Sequence, residues 1–146
     1  MKSALVVVDS GAAARRVGKR AGEFAASLNA NIHVVKFVDR TEYQQHLEHD
    51  AATSQNLDSI EEVEANAREQ AQAYADEMFA DLDIEVHTSG IVENIPDGIL
   101  SYANMNDCDH IFLTGPKRSP TGKALFGDTA QTVILDFDGP VTVVTA

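Results

Sequence analysis

The sequence predicts an α/β fold: one open, doubly wound sheet of five parallel strands with helices on both faces. Three observations carry that expectation. Short apolar, β-branched runs alternate with stretches whose apolar residues recur every three or four positions. The first run, Ala4 to Val8, is apolar without a break, as in a strand covered on both faces. The 146 residues suit one domain, 1–146, with one core, and strand–helix–strand alternation within a domain demands right-handed parallel crossovers.

Taken in order, the first strand ends at Asp9-Ser10-Gly11, where a turn starts a helix. Val17, Ala21, Phe24 and Leu28 form its apolar stripe, and Arg15, Arg16, Lys19 and Arg20 fall largely on its other side. Asn29-Ala30-Asn31 stops it. Ile32 to Val38 is the second strand. Residues 41–59, rich in His, Gln, Asp and Ser without a clean period, form a polar insertion expected to be mobile. Ile60, Val63, Ala67, Ala71, Tyr74 and Met78 mark a long acidic helix, and Ile84, Val86 and Thr88 alternate as a third strand. Ile95, Ile99 and Tyr102 make a short helix with Pro96 in its first turn, where the missing amide is tolerated. Ile111 to Leu113 is the fourth strand. Ala130, Val133, Ile134 and Phe137 belong to the last helix, Asp138-Gly139-Pro140 turns the chain, and Val141 to Thr145 is the fifth strand.

The formal net charge of -12 speaks against nucleic acid or an anionic membrane surface as a partner, since both require a positive surface. A salt-rich cytoplasm is one habitat in which such acidity preserves solubility. No run approaches the roughly 20 apolar residues of a membrane span. No secretory leader follows Met1, and Cys108 is the one cysteine, so a cytoplasmic protein without disulfides is expected.

Cations are scarce, which makes their clustering informative. Between Thr41 and Pro116 there is only Arg68; Lys117, Arg118 and Lys123 then come close together. They lie in the segment Thr114 to Asp128, which holds three glycines, three cations and three hydroxyls and runs from a strand into a helix. Glycines admit close approach of a ligand, and helix N-terminal amides attract phosphate. Parallel sheets bind ligands beyond the carboxyl ends of their strands, where strand order reverses, so the loops after strands one and four are the candidate site. The segment is not a Walker loop, because Gly-x-x-x-x-Gly-Lys-[Ser/Thr] after the first strand is absent.

The order of elements, the first strand ending in Asp9, the Ile95-Pro96 helix entry and the late glycine loop together resemble the universal stress protein family across nearly the whole chain. The resemblance implies a Rossmann-like sheet of strand order 3-2-1-4-5, as in the adenine nucleotide alpha hydrolases, a homodimer paired through the last strand, and an adenine nucleotide, ATP or AMP, as ligand. The family's nucleotide-binding branch carries Gly-x-x-Gly-x(9)-Gly-[Ser/Thr] here. By that motif Asp9, with Ser10, and Phe37 face the nucleoside, and Gly115 and Gly127 are the outer glycines. Arg118 stands in the second glycine's place, the spacing to Gly127 is one residue shorter, and Asp128 replaces the closing hydroxyl residue. A carboxylate about 4 Å from a phosphate costs on the order of 4 kcal/mol at an effective dielectric near 20. Asp128 with Gln131 also matches a capping box, which would occupy the helix amides. Conversely, Arg118 and Lys123 supply positive charge, and Mg2+ could bridge Asp128 to a phosphate.

The expected site is therefore Asp9, Ser10, Phe37, Gly115, Arg118, Ser119, Lys123, Gly127, Asp128 and Thr129, in a binding module without catalytic residues or resident metal. The alternatives are an interaction protein of the same fold whose altered loop binds no nucleotide, and an ATP pyrophosphatase, which lacks its Ser-Gly-Gly-x-Asp-Ser loop here. A receiver role for Asp9 fails because no second acidic residue follows it. Asp9 could also cap the first helix. His46, His49 and Asp50 are read as solvated side chains of the insertion. His33, His87 and His110 show no triad spacing, and Asp107 and Asp109 should raise the Cys108 thiol pKa.

Overall fold

Strands made of Val, Ile, Leu and Ala have no polar face, so their sheet is stable only with cover on both sides. The computed structural model, which describes residues 2–9, 11–41, 43–45, 59–115 and 127–145, has that arrangement. In chain order the elements are β1 (Ser3–Val7), α1 (Ala12–Leu28), β2 (Asn31–Asp39), α2 (Ile60–Phe79), β3 (Val86–Glu93), α3 (Ile95–Met105), β4 (His110–Thr114), α4 (Asp128–Asp136) and β5 (Val141–Val144). The strands pair in parallel in the order β3-β2-β1-β4-β5. Strand order reverses between β1 and β4, and β3 and β5 are the edges.

The period-two alternation of the strands divides the core in two. Ala4, Val6, Ile32, Val34 and Phe112 face α1 and α2, where they meet Val17, Ala21, Ala25, Ala71 and Phe79. Leu5, Val35, Phe37, Ile111 and Leu113 face α3 and α4, against Ile99, Ala103, Ala130 and Val133.

Local signals fix the ends of the elements. Gly11 takes φ 94°, a region closed to most side chains, and so turns β1 into α1. Asn29, in the left-handed region at φ 52°, stops α1. The expected stripe is corrected at its end: Ala25 is buried, whereas Leu28, in the last turn, is exposed. Within the 41–59 insertion, Thr41 and 43–45 have helical backbone; 42 and 46–58, with His46, His49 and Asp50, lie outside the described residues. Ser59 caps α2 by accepting from the Glu62 amide at 3.1 Å.

The third strand differs most from expectation. It spans Val86–Glu93 rather than Ile84 to Thr88, continuing through Ser89 and Gly90 in register with β2. Glycine reads as a strand breaker but is required here by close approach. A Cβ on Gly90 would stand 2.3 Å from the Glu64 carbonyl oxygen and 2.4 Å from the Arg68 amide nitrogen, so α2 crosses β3 only over a residue without a side chain. Among the described residues no helix is long and apolar enough to cross a membrane.

Candidate functional site

Doubly wound sheets open a crevice where neighbouring strands send their connections to opposite faces. Here that crevice lies between β1 and β4, and it holds a cavity of about 250 Å³. The strand ends contribute Val7, Val8, Asp9, Lys36 and Phe37 on one side and Leu113 and Thr114 on the other. Ile95 and Ile99 of α3 and Thr129 of α4 complete the wall. The result is an apolar slot with a polar mouth.

Asp9 and Thr114 join the two strands at the mouth. The Thr114 hydroxyl donates to Asp9 Oδ2 at 2.6 Å, holding the carboxylate over the crevice. The N-cap position of α1 is Gly11. Phe37 is buried and lies both in the core and against the cavity.

The expected capping box is corrected. The N-cap of α4 is Gly127, whose extended backbone (φ -69°, ψ 167°) meets the geometric requirement of a cap, and Asp128 is the first helical residue. Glycine brings no side chain to that cap, and the Gln131 amide donates to the Gly127 carbonyl. The first turn of α4 thus meets the cavity through Thr129, and Asp128 stands in that turn. Gly115 has a local structural reason. Its amide donates to the Val144 carbonyl at 2.9 Å, extending the β4–β5 ladder, and a Cβ would meet Val143 and Thr145 side chains at 3.0 and 3.1 Å.

The structure therefore brings together Asp9, Phe37 and Thr129 along the cavity, with Gly127 and Asp128 at the helix start beside it and Gly115 in the sheet. Ser10, Arg118, Ser119 and Lys123 lie outside the described residues. Sequence reasoning missed Val7, Val8, Lys36, Ile95, Ile99, Leu113 and Thr114 as site residues. Lys36 carried a signal, a lone cation inside an otherwise apolar strand; the others looked like ordinary core or strand-end positions.

His33, Tyr102, Cys108 and His110 lie toward the opposite, amino end of the sheet. His33 Nδ1 is 2.8 Å from the Tyr102 hydroxyl, and the His33 and His87 rings stack at 4.9 Å. Burial, then the neighbouring His87, lowers the His33 pKa, and burial raises that of Tyr102. His110 lies 2.8 Å from the Thr142 hydroxyl and is also lowered by burial. Burial pushes the Cys108 thiol up to about 11, with Asp109 and Asp107 adding to the effect, so it is an inert core thiol at neutral pH. Among the described residues no group of three or more His, Cys, Asp or Glu could hold a metal ion.

Comparison with known proteins points in the same direction. The model of the universal stress protein family matches residues 1–145. The chain is similar to the structure of a universal stress protein from Archaeoglobus fulgidus, at 25% identity, a TM-score of 0.64 and coverage of 99% of this chain and 98% of that one. A universal stress protein from the same organism in complex with dAMP is 19% identical, with a TM-score of 0.57 over 99% and 98% of the two chains. One in complex with cAMP is 18% identical, with a TM-score of 0.54 over 99% and 96%. None of the curated proteins matches in sequence.

Proposed function

The chain belongs to the universal stress protein family, and from that premise we propose that it binds an adenine nucleotide, AMP or ATP, in the cavity between β1 and β4, as a regulatory module without catalysis. The observation that carries this reading is the pairing of an apolar slot with two polar features at its mouth: the carboxylate of Asp9 held by Thr114, and the first turn of α4, which reaches the cavity through Thr129. The slot formed by Phe37, Ile95, Ile99 and Leu113 suits a flat heterocycle. Asp9 accepts from ribose hydroxyls, and the phosphates extend toward the first turn of α4 and the segment carrying Arg118, Ser119 and Lys123. That solved structures of this fold include complexes with cAMP and dAMP supports the same ligand class.

In this reading Asp128 weakens phosphate binding unless Mg2+ bridges the two. Asp9 and Lys36 at the cavity serve binding and bound ATP persists; a steady-state phosphate-release assay checks this. The chain acts in the cytoplasm, as a homodimer paired through the edge strand β5, which light scattering tests. One observation favours a second reading, an interaction protein that takes no nucleotide: the carboxylate of Asp128 occupies the helix turn where phosphate would sit. Calorimetry with AMP and ATP, with and without Mg2+, separates the two. Saturable one-to-one binding, strengthened by roughly tenfold in Asp128→Ser, is the expected outcome; tenfold corresponds to about 1.4 kcal/mol. Absence of saturable binding under all these conditions, in both proteins, would leave the second reading.

A further inference from the structure

Four of the eleven Lys and Arg residues, Arg15, Arg16, Lys19 and Arg20, stand on two turns of α1. On sequence alone they are a solvated face, yet in the fold three of them border an apolar groove. Between α1 and α2 lies a groove of about 530 Å³, within the roughly 300–1,000 Å³ of small-molecule sites. Gly18, Gly22 and Ala26 form one wall, and Met78 and Leu82 form the other. Because the two glycines carry no side chain, α2 and the turn after it pack close to α1, with Met78 and Leu82 half-buried along the seam: a Cβ on Gly18 would stand 2.5 Å from the Tyr74 hydroxyl, and one on Gly22 3.0 Å from Leu82.

The rim is Arg15, Arg16, Lys19 and Glu23. Arg15 pairs with Glu77 at 3.3 Å, Glu23 with Arg20 at 3.2 Å, and the Arg16 guanidinium donates to the Thr145 carbonyl. Among the described residues no ion pair engages Lys19. In a chain of net charge -12, a positive rim over a hydrocarbon floor selects a ligand that is anionic at one end and apolar along its body.

We propose that the α1–α2 groove binds a single-chain amphiphilic carboxylate, a free fatty-acid-like anion, with its headgroup between Arg16 and Lys19 and its chain along Gly22, Ala26, Met78 and Leu82. An anionic bilayer is disfavoured because the chain's net charge repels it. The site is separate from the β1–β4 cavity and does not depend on the nucleotide reading.

The test titrates the full chain with hexanoate, octanoate and decanoate below their micelle thresholds, and with decyltrimethylammonium, by calorimetry and amide NMR. One-to-one decanoate binding is expected, with shifts at Gly18, Gly22, Met78 and Leu82. Affinity should rise by up to about fourfold per buried methylene along the series. Decyltrimethylammonium should bind weakly or not at all. Lys19→Glu should weaken decanoate by roughly fivefold, the scale of exchanging an exposed attraction for a repulsion. Ala26→Trp, at an exposed position that leaves the core intact, should abolish binding while preserving the melting temperature. Equal binding of the cationic amphiphile, unchanged affinity in both variants, shifts centred on Phe37 and Ile99, or binding seen only with phosphatidylglycerol vesicles would each overturn the proposal.

Discussion

The two faces of the sheet are closed by different means. On one, α1 and α2 are long helices whose contact rows are Ala and Gly, so backbones approach closely: Gly90 lies under α2, and the Tyr74 hydroxyl donates to the Ala14 carbonyl at 2.6 Å. On the other, α3 and α4 are shorter and pack through larger side chains such as Ile99 and Val133. On the second face the first turns of α3 and α4, through Ile95, Ile99 and Thr129, meet the strand ends around the cavity. The candidate nucleotide site thus lies at the carboxyl end, on the face of α3 and α4.

The strongest way to break this comparison is Gly90→Ala. The added methyl meets two backbone atoms that cannot rotate away, so a loss of roughly 3 kcal/mol or failure to fold is expected. A urea melt close to wild type would show that α2 does not need the contact. Tyr74→Phe is milder: the ring stays and the buried hydroxyl is lost. It should cost about 1 kcal/mol, measured by the same melts.

Thr114→Val separates the faces by function. Removing the donor to Asp9 should change stability by no more than about 0.5 kcal/mol, since the pair is exposed, while nucleotide affinity falls severalfold. A stability loss without any change in affinity would make the Asp9–Thr114 bond merely structural.

The smallest effect is pH-dependent and lies at the amino end. His33 and His110 have pKa values lowered from 6.5 by burial, so the fold favours their neutral forms. A group depressed in the folded state contributes stability above its unfolded pKa and loses it as pH falls through the folded value. Melting temperature should therefore drop on acidification below about pH 6.5, and His33→Gln should flatten part of that slope. A flat profile in the wild type would remove the buried-imidazole account.

Much of the architecture was legible because periodicity and breakers act locally. The uninterrupted run before Asp9, the stop at Asn29 and the Pro96 helix entry all marked their elements. The Ile60 to Met78 stripe gave a helix that ends within a residue of the observed one. Errors arose where tertiary contact overrode local preference. Gly90 looked like an end to β3 and is instead what lets the strand run under α2; Asp128 looked like a cap, but Gly127 holds that backbone conformation. At the candidate site, Asp9 and Phe37 had signals of type and position, whereas Thr114, Ile95 and Ile99 become neighbours only through strand order. The α1 cations could be located on a helix from sequence, but the groove beneath them depends on how two helices meet.

The central claim is that an adenine nucleotide occupies the carboxyl-end cavity. Its most direct test is a titration of the isotopically labelled chain with AMP, followed by backbone amide shifts. Saturable one-to-one shifts at Asp9, Phe37, Thr114 and Thr129, with His33 and His87 unmoved, are the predicted result; no saturable shifts, or shifts centred on the amino end of the sheet, would contradict it.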